Sequence, residues 1–359
     1  MAWPDRRILD LFGIKLPIIQ APMANFSTTE MAIGAALAGG LGSLPCASLN
    51  ADQIRAATVA FRAAALGPIN LNFFCHTPPV EDAARETAWR KRLEPYYREA
   101  GLDPATTVPS VSRLPFDDAA CALVEELRPE IVSFHFGLPD PRLVTRVKAT
   151  GAKVISSATI VAEAQWLEAR GCDAIIAMGV EAGGHRGNFL SHDMARQVGT
   201  FALVPQIADA VKVPVIAAGG IADGRGVAAA LALGASAVQI GTAYLYSPEA
   251  KISAVHARAL ATVTDAGTEV TNVFTGRPAR GIVTRLMREL GPLTPDAPAF
   301  PNASRALAPI KTKAEANGAD DFSNLWSGQA AKLAKHLPAK DLTLVLAEDA
   351  LARIAALSG

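Results

Sequence analysis

Short apolar runs alternate with alanine-rich amphipathic stretches along most of the chain, the rhythm of strand–helix units around a parallel sheet. Residues 17–21 read as a first strand, 41–44 as a second and Ile69–Phe74 as a third. A helix fits residues 28–38, with Ser27 or Thr28 as its N-cap and Gly39-Gly40 as its stop. A second helix fits 51–66. The rhythm breaks over 76–110, where Pro78-Pro79 precedes a charged amphipathic stretch at 81–100. That segment is too long for an ordinary connection and reads as an insertion. Strands resume at 131–136, 153–157, 174–177, 213–218 and Ala237–Ile240, with helices at 161–170 and 223–233 among the intervals.

Eight strands of this kind close a (β/α)8 TIM barrel, an α/β fold that needs about 250 residues. The chain has 359, which leaves room for a smaller unit. After residue 262 the strand signals stop, and helices are expected at 323–337 and 341–357. Residues 1–75 and 111–262 are therefore assigned to the barrel, and 76–110 with 263–359 to a mostly helical cap over its catalytic end.

Charge narrows the choice of partner. Lysine plus arginine number 34, as do aspartate plus glutamate, so there is no electrostatic footprint for nucleic acid or an anionic membrane. No apolar run is long enough to span a bilayer, and residues 1–7 do not read as a signal peptide. Cys46, Cys75, Cys121 and Cys172 form no CxxC pair and read as reduced thiols, with no metal site. A cytoplasmic protein acting on a small molecule is expected, with homo-oligomerisation left open.

The chemistry concentrates at strand ends. Glu181-Ala182-Gly183-Gly184-His185-Arg186-Gly187 follows the run Ala174-Ile175-Ile176-Ala177. It puts an ionisable ring between glycines that let a backbone approach a ligand closely. An imidazole titrates near neutrality and suits removal of a moderately acidic carbon-bound proton, so His185 is the candidate base. His135 and His76 are possible neighbours of it. Glu181 and Arg186 form either a surface ion pair or loop-fixing contacts.

Gly219-Gly220 and Gly241-Thr242 end the last two strands, where TIM barrels commonly hold phosphate. The helix beginning at Asp223 offers its N-terminus to the same anion. Ala21-Pro22-Met23 either lies against a planar ring or is an ordinary strand exit. Asn70 and Asn72 share one strand face and meet either a cofactor's polar edge or backbone carbonyls; Asn72, nearer the carboxyl end, is the better placed for the former. No GxGxxG follows the first strand, and neither GxxxxGK[ST] nor HExxH occurs.

Gln20-Ala21-Pro22-Met23, Asn72 to His76, Val132 to Gly137, Glu181 to Gly187, Ala217 to Ile221 and Gln239 to Thr242 together resemble nitronate monooxygenase, formerly 2-nitropropane dioxygenase, of the bacterial class I type. The likeness extends to Trp326-Ser327-Gly328-Gln329. It implies an FMN enzyme that oxidises alkyl nitronates, such as propionate 3-nitronate, with O2 to a carbonyl compound and nitrite. It gives His185 the role of base toward neutral nitroalkanes, and it places FMN contacts at Asn72, Gly183, Gly220, Gln239, Ile240, Gly241 and Thr242. With the strand-end reading, the expected cofactor set also includes Ala21, Pro22, Met23, Met178, Gly184 and Gly219. Met178 stands where the resemblance implies glutamine, and residues 295–301 lack the tyrosines it implies around the substrate. Two alternatives remain at this point. One is an NAD(P)H-dependent flavin reductase, acting on an enoyl thioester or a quinone. The other is a flavin- or phosphate-binding protein without turnover.

Overall fold

The computed structural model describes residues 3–65, 67–106 and 113–358. The expected helix end at Leu66, the expected junction at residues 110 and 111, and the chain ends at 1 and 359 lie outside them. In chain order the strands are β1 (Ile18–Gln20), β2 (Gly42–Pro45), β3 (Ile69–Phe74), β4 (Ile131–His135), β5 (Lys153–Ala158) and β6 (Ala174–Met178). The two-residue β7 (Gly184–His185), β8 (Val215–Ala218) and β9 (Ala237–Ile240) follow. All but β7 form one parallel sheet in the order β1-β9-β8-β6-β5-β4-β3-β2. The ring closes where Gln20 N donates to Leu41 O at 3.0 Å and Leu41 N donates to Ile18 O at 2.9 Å. The protein is a (β/α)8 barrel.

Period-two alternation explains why the site sits at one end. Ile69, Leu71 and Phe73 of β3 point outward into the helix-facing core, as do Val132 and Phe134 of β4. The opposite face begins apolar: Ile19, Leu41, Ile131, Ile155, Ala174, Ile216 and Ala237 pack on Ile8, Leu9 and Phe12 of the N-terminal helix Arg7–Phe12, which plugs the barrel floor. Two or four residues further along the same strand faces come Asn72, His135, Ser157, Met178 and Gln239, which line a cavity at the carboxyl ends. On β4, β5 and β9 this gives an oily lower end and a polar upper one, whereas β3 is already polar lower down at Asn70 and β6 stays apolar up to Met178.

The helices start where the sequence supplies caps. Thr28 caps Thr29–Leu37 by accepting from Met31 N, and Asn50 with Gln53 makes a capping box on Ala51–Ala64. The last helix, Ala339–Ser358, packs on Thr29–Leu37 and Gly224–Ala232 of the barrel wall. Its Thr343 hydroxyl meets the buried Tyr244 hydroxyl at 2.7 Å. A separate apolar cluster joins Trp89, Leu93, Tyr96 and Tyr97 of helix Ala83–Glu99 to Val273, Phe274, Leu286, Leu307, Ile310 and Phe322.

Two expectations for the tail are corrected. Strands do occur after residue 262: β10 (Thr268–Thr271) pairs antiparallel with β11 (Ala279–Ile282), which pairs in turn with β7. Each is four residues long and interrupted by charge or glycine, below what an alternation test detects. Residues 323–337 form no long helix; only Ala331–Leu333 makes a 3-10 turn. Main-chain groups there bond elsewhere instead, Ser327 N to Arg280 O at 3.4 Å and Gln329 N to Glu181 O at 3.0 Å.

The barrel wall leaves no room at Gly42, where a Cβ would lie 2.2 Å from the Ala32 carbonyl oxygen. That oxygen belongs to helix backbone and cannot rotate away. Gly42→Ala is therefore expected to destabilise the fold by about 1–3 kcal/mol or more, as overpacked cores do. Chemical denaturation of both proteins checks this, and an unchanged midpoint would mean that helix and strand separate freely.

Candidate active site

His185 reaches the barrel mouth because β7 is tied to the cap. Its strand pairs with Ala279 and Arg280 of β11, and Arg186 N donates to Pro278 O at 2.8 Å. From below, His135 Nε2 lies 3.0 Å from the His185 carbonyl oxygen. A carbonyl only accepts, so Nε2 carries the His135 proton. Nδ1, 3.1 Å from Ser157 Oγ, then accepts from that hydroxyl. Burial pushes the His135 ring down to about 4, which keeps it neutral in this role. His76 is likewise pushed to about 4 by burial, and its Nε2 donates to the Arg113 carbonyl at 3.0 Å.

The His185 imidazole sits among aromatic rings. Phe300 lies 5.2 Å from it centroid to centroid, Trp326 5.5 Å, Phe136 6.1 Å and Phe74 6.4 Å. Its Nε2 is 2.9 Å from Thr275 Oγ1, and that hydroxyl donates to the Arg277 carbonyl at 3.3 Å. With the hydroxyl proton so directed, Oγ1 accepts from Nε2–H and the lone pair rests on Nδ1. Burial holds His185 well below the ordinary imidazole value, and the positive fields of Arg113 and Arg277 add to it. The ring is thus a neutral acceptor in an apolar box.

The neighbours of His185 are loop-fixing residues, and the surface ion-pair reading of Glu181 and Arg186 is overturned. Arg186 is fully buried; its guanidinium donates to Gly179 O at 2.7 Å, Met178 O at 2.8 Å and Gln197 Oε1 at 3.0 Å. The Glu181 carboxylate accepts from Thr200 N at 2.9 Å and Thr200 Oγ1 at 2.8 Å, at the start of helix Thr200–Ala210. A charge at a helix N-terminus is well placed.

Across the cavity the strand ends gather as the sequence predicts. Ala21, Pro22, Met23, Asn72, Met178, Gly183, Gly184, Gly219, Gly220, Gln239, Gly241 and Thr242 all line it with His185, whereas Ile240 points into the wall core. Gly219 and Gly220 have φ of 113° and 70°, which favour glycine. A Cβ on Gly183 would lie 2.5 Å from Gly328 N, so that turn and the tail touch through bare backbone. The helix N-terminus expected to serve an anion is already capped. Asp223 accepts from Arg225 N at 3.0 Å and Gly226 N at 3.3 Å, since the dipole that attracts a phosphate attracts a carboxylate equally. The 3-10 turn Thr242–Tyr246 has no side-chain cap.

Asn72 donates through Nδ2 to Ser133 Oγ at 2.9 Å and to Ser133 O at 3.2 Å, while Asn70 lies deeper, on Ser43 Oγ at 3.0 Å. Gln239 Oε1 is buried with no partner among the described residues. Thr275 and Phe300 escape a reading by motif because they come from a tail far away in sequence. Gly328 also belongs to the site: its N–H donates to Thr242 Oγ1 at 2.9 Å. The Trp326-Ser327-Gly328-Gln329 run was the available signal for it. No tyrosine lines the cavity among the described residues; Phe300 is the ring that residues 295–301 supply. No cluster of three or more His, Cys, Asp or Glu among them could hold a metal ion, and no helix is long and apolar enough to cross a membrane.

Three comparisons bear on this site. A family model described as nitronate monooxygenase matches residues 5–349. A Pseudomonas aeruginosa protein named nitronate monooxygenase is 42% identical over 346 residues, 96% of this chain and 98% of that one. A solved structure described as nitroalkane oxidase from Streptomyces ansochromogenes superposes with a TM-score of 0.88 at 36% identity, covering 98% of this chain and 99% of that chain. The structure of FabK from Thermotoga maritima follows at TM-score 0.74 and 29% identity, with 98% of each chain covered. With a half-buried neutral histidine at the mouth of a glycine-lined barrel, these matches agree: the chain belongs to the nitronate monooxygenase family.

Proposed function

We propose that the protein oxidises alkyl nitronates with O2 to a carbonyl compound and nitrite, using FMN held at the carboxyl ends of the barrel strands. The observation that carries the reading is His185, a neutral imidazole fixed at main chain from both barrel and cap, facing a cavity whose other wall is glycine. The family is flavin-dependent. Residues present here fit a flavin: Gln239 Oε1 is a buried acceptor without a donor among the described residues, and Gly219 and Gly220 border the cavity with bare, positive-φ backbone. Gly219, Gly220, Gly241 and Thr242 would hold the phosphate; Ala21, Pro22, Met23, Asn72, Met178, Gly184 and Gln239 would border the ring. FMN bound there supplies the electron acceptor and the site of reaction with O2.

The chain's own groups do the rest. His185 Nδ1 takes the α-proton of a neutral nitroalkane, and the aromatic box excludes water from the carbanion. Thr275 holds the imidazole through Nε2, and His135 fixes its backbone. A substrate that is already a nitronate needs no such proton removed. Neither a flavin reductase nor a binding protein without turnover is favoured, since the family match runs through nearly the whole chain.

Aerobic nitrite release from propionate 3-nitronate by protein whose released flavin is FMN tests the reading, and absence of nitrite would contradict it. Within it, His185→Asn is expected to slow oxidation of neutral nitroethane by about 10²–10⁴-fold, the usual contribution of a general base. Preformed ethylnitronate should lose far less. Equal losses on both would make His185 a binding residue.

Met178 supplies a second test. It is buried on the cavity wall, and its thioether offers no donor to a cofactor's polar edge. A glutamine there adds one hydrogen bond, worth about 0.5–1.5 kcal/mol net. Met178→Gln should therefore tighten FMN binding roughly two- to tenfold, measured by titrating apoprotein with FMN. An unchanged or weaker constant would mean that residue 178 does not meet the flavin.

A further inference from the structure

Arg113 is a cation in the cavity wall whose charge is unanswered. Its guanidinium carbon lies 5.9 Å from the centroid of Phe300, and His185 packs on the same ring at 5.2 Å. The main-chain carbonyl of Arg113 serves His76. Its side chain makes no hydrogen bond or ion pair among the described residues, and burial, with no anion to offset it, lowers its pKa from the ordinary value. The undescribed residues, 1–2, 66, 107–112 and 359, include no aspartate or glutamate that could serve.

Among the described residues, none nearby supplies the missing charge. His76 and His185 are neutral, and Arg277 is another cation, stacked 3.9 Å over Phe136. Lys311 is occupied by Asn324 Oδ1 at 2.6 Å, with Glu315 3.8 Å away. Glu181 is the one carboxylate among the described cavity-lining residues, and Thr200 holds it. Arg113 is half-buried in the cavity wall, and a partly desolvated cation without a partner is costly, so an anion arriving with a ligand would be drawn to it.

We propose that Arg113 is a specificity residue: it selects nitronates that also carry a carboxylate, pairing with that carboxylate while His185 faces the carbon bonded to nitrogen. This rests on the site being one that oxidises nitronates. Both groups line one cavity and both approach the Phe300 ring, which places a carboxylate on the same short substrate as the reacting carbon within the reach of Arg113. A planar guanidinium matches a carboxylate with two parallel hydrogen bonds, which a nitronate lacking a second anion cannot use at that end.

The test compares kcat/KM for propionate 3-nitronate and for propyl-1-nitronate in the wild type, Arg113→Met and Arg113→Lys. The ratio of the two should fall about ten- to hundredfold in Arg113→Met, the usual scale of a charge-assisted hydrogen bond. Arg113→Lys should recover part of it. An unchanged ratio, or an equal loss on both substrates, would overturn the proposal. Calorimetric titration with succinate, whose second carboxylate stands in for the nitronate, gives a readout independent of turnover. Wild type should bind it about tenfold or more tightly than Arg113→Met, and equal affinities would overturn the assignment. If wild type released no nitrite from either nitronate, the reading of the reaction would fail, while the succinate titration would still decide the role of Arg113.

Discussion

Gly184 and His185 pair with Ala279 and Arg280, and this short antiparallel ladder joins barrel to cap at the position of the proposed base. The imidazole would otherwise hang from a glycine-rich loop with many conformations open to it. Pairing on the cap side and the His135 hydrogen bond on the barrel side fix the main chain of residue 185, so only the ring torsions remain. Phe300, Phe74, Phe136 and Trp326 then restrict those and remove water. A base held in this way needs little reorganisation when its substrate arrives.

Burial also sets the electrostatics. Three histidines within one aromatic cluster are kept neutral by desolvation, and two arginines beside them oppose any gain of charge. A site that resists positive charge when empty changes character once an anion enters. A nitronate beside His185 would offset the cationic field and make protonation of the ring easier. The acceptor is therefore weak alone and stronger as the carbanion forms, which is the direction catalysis requires.

Much of this was legible from residue order because barrel strands announce themselves through alternation and their ends through glycine. β3 and β9 fall at the bounds the pattern predicts, and Gly219-Gly220, Gly241-Thr242 and His185 meet in one cavity. What stayed hidden depends on distance in sequence. β10 and β11 are four residues each and gain their order from pairing with β7, not from their own composition. The backbone at 323–337 reads as helical by its alanines and lysines, yet its N–H groups are taken by Arg280 and Glu181. Arg113 follows a proline-punctuated stretch of sequence with no periodicity to place it. Glu181 and Arg186, on either side of the histidine and of opposite sign, suggested a pair; burial of Arg186 against three acceptors sends each to a separate partner.

The account turns on His185 being neutral and held, and histidine-selective 15N NMR of the protein across acidic pH, with His185→Asn assigning the signal, observes that directly. Desolvation places its titration well below the ordinary 6.5, so the ring nitrogens should keep neutral-imidazole shifts, with one tautomer dominant, as pH falls through that value. A midpoint at or above about 6.5, the unperturbed value, or rapid averaging of the two nitrogens, would contradict a half-buried imidazole fixed between barrel and cap.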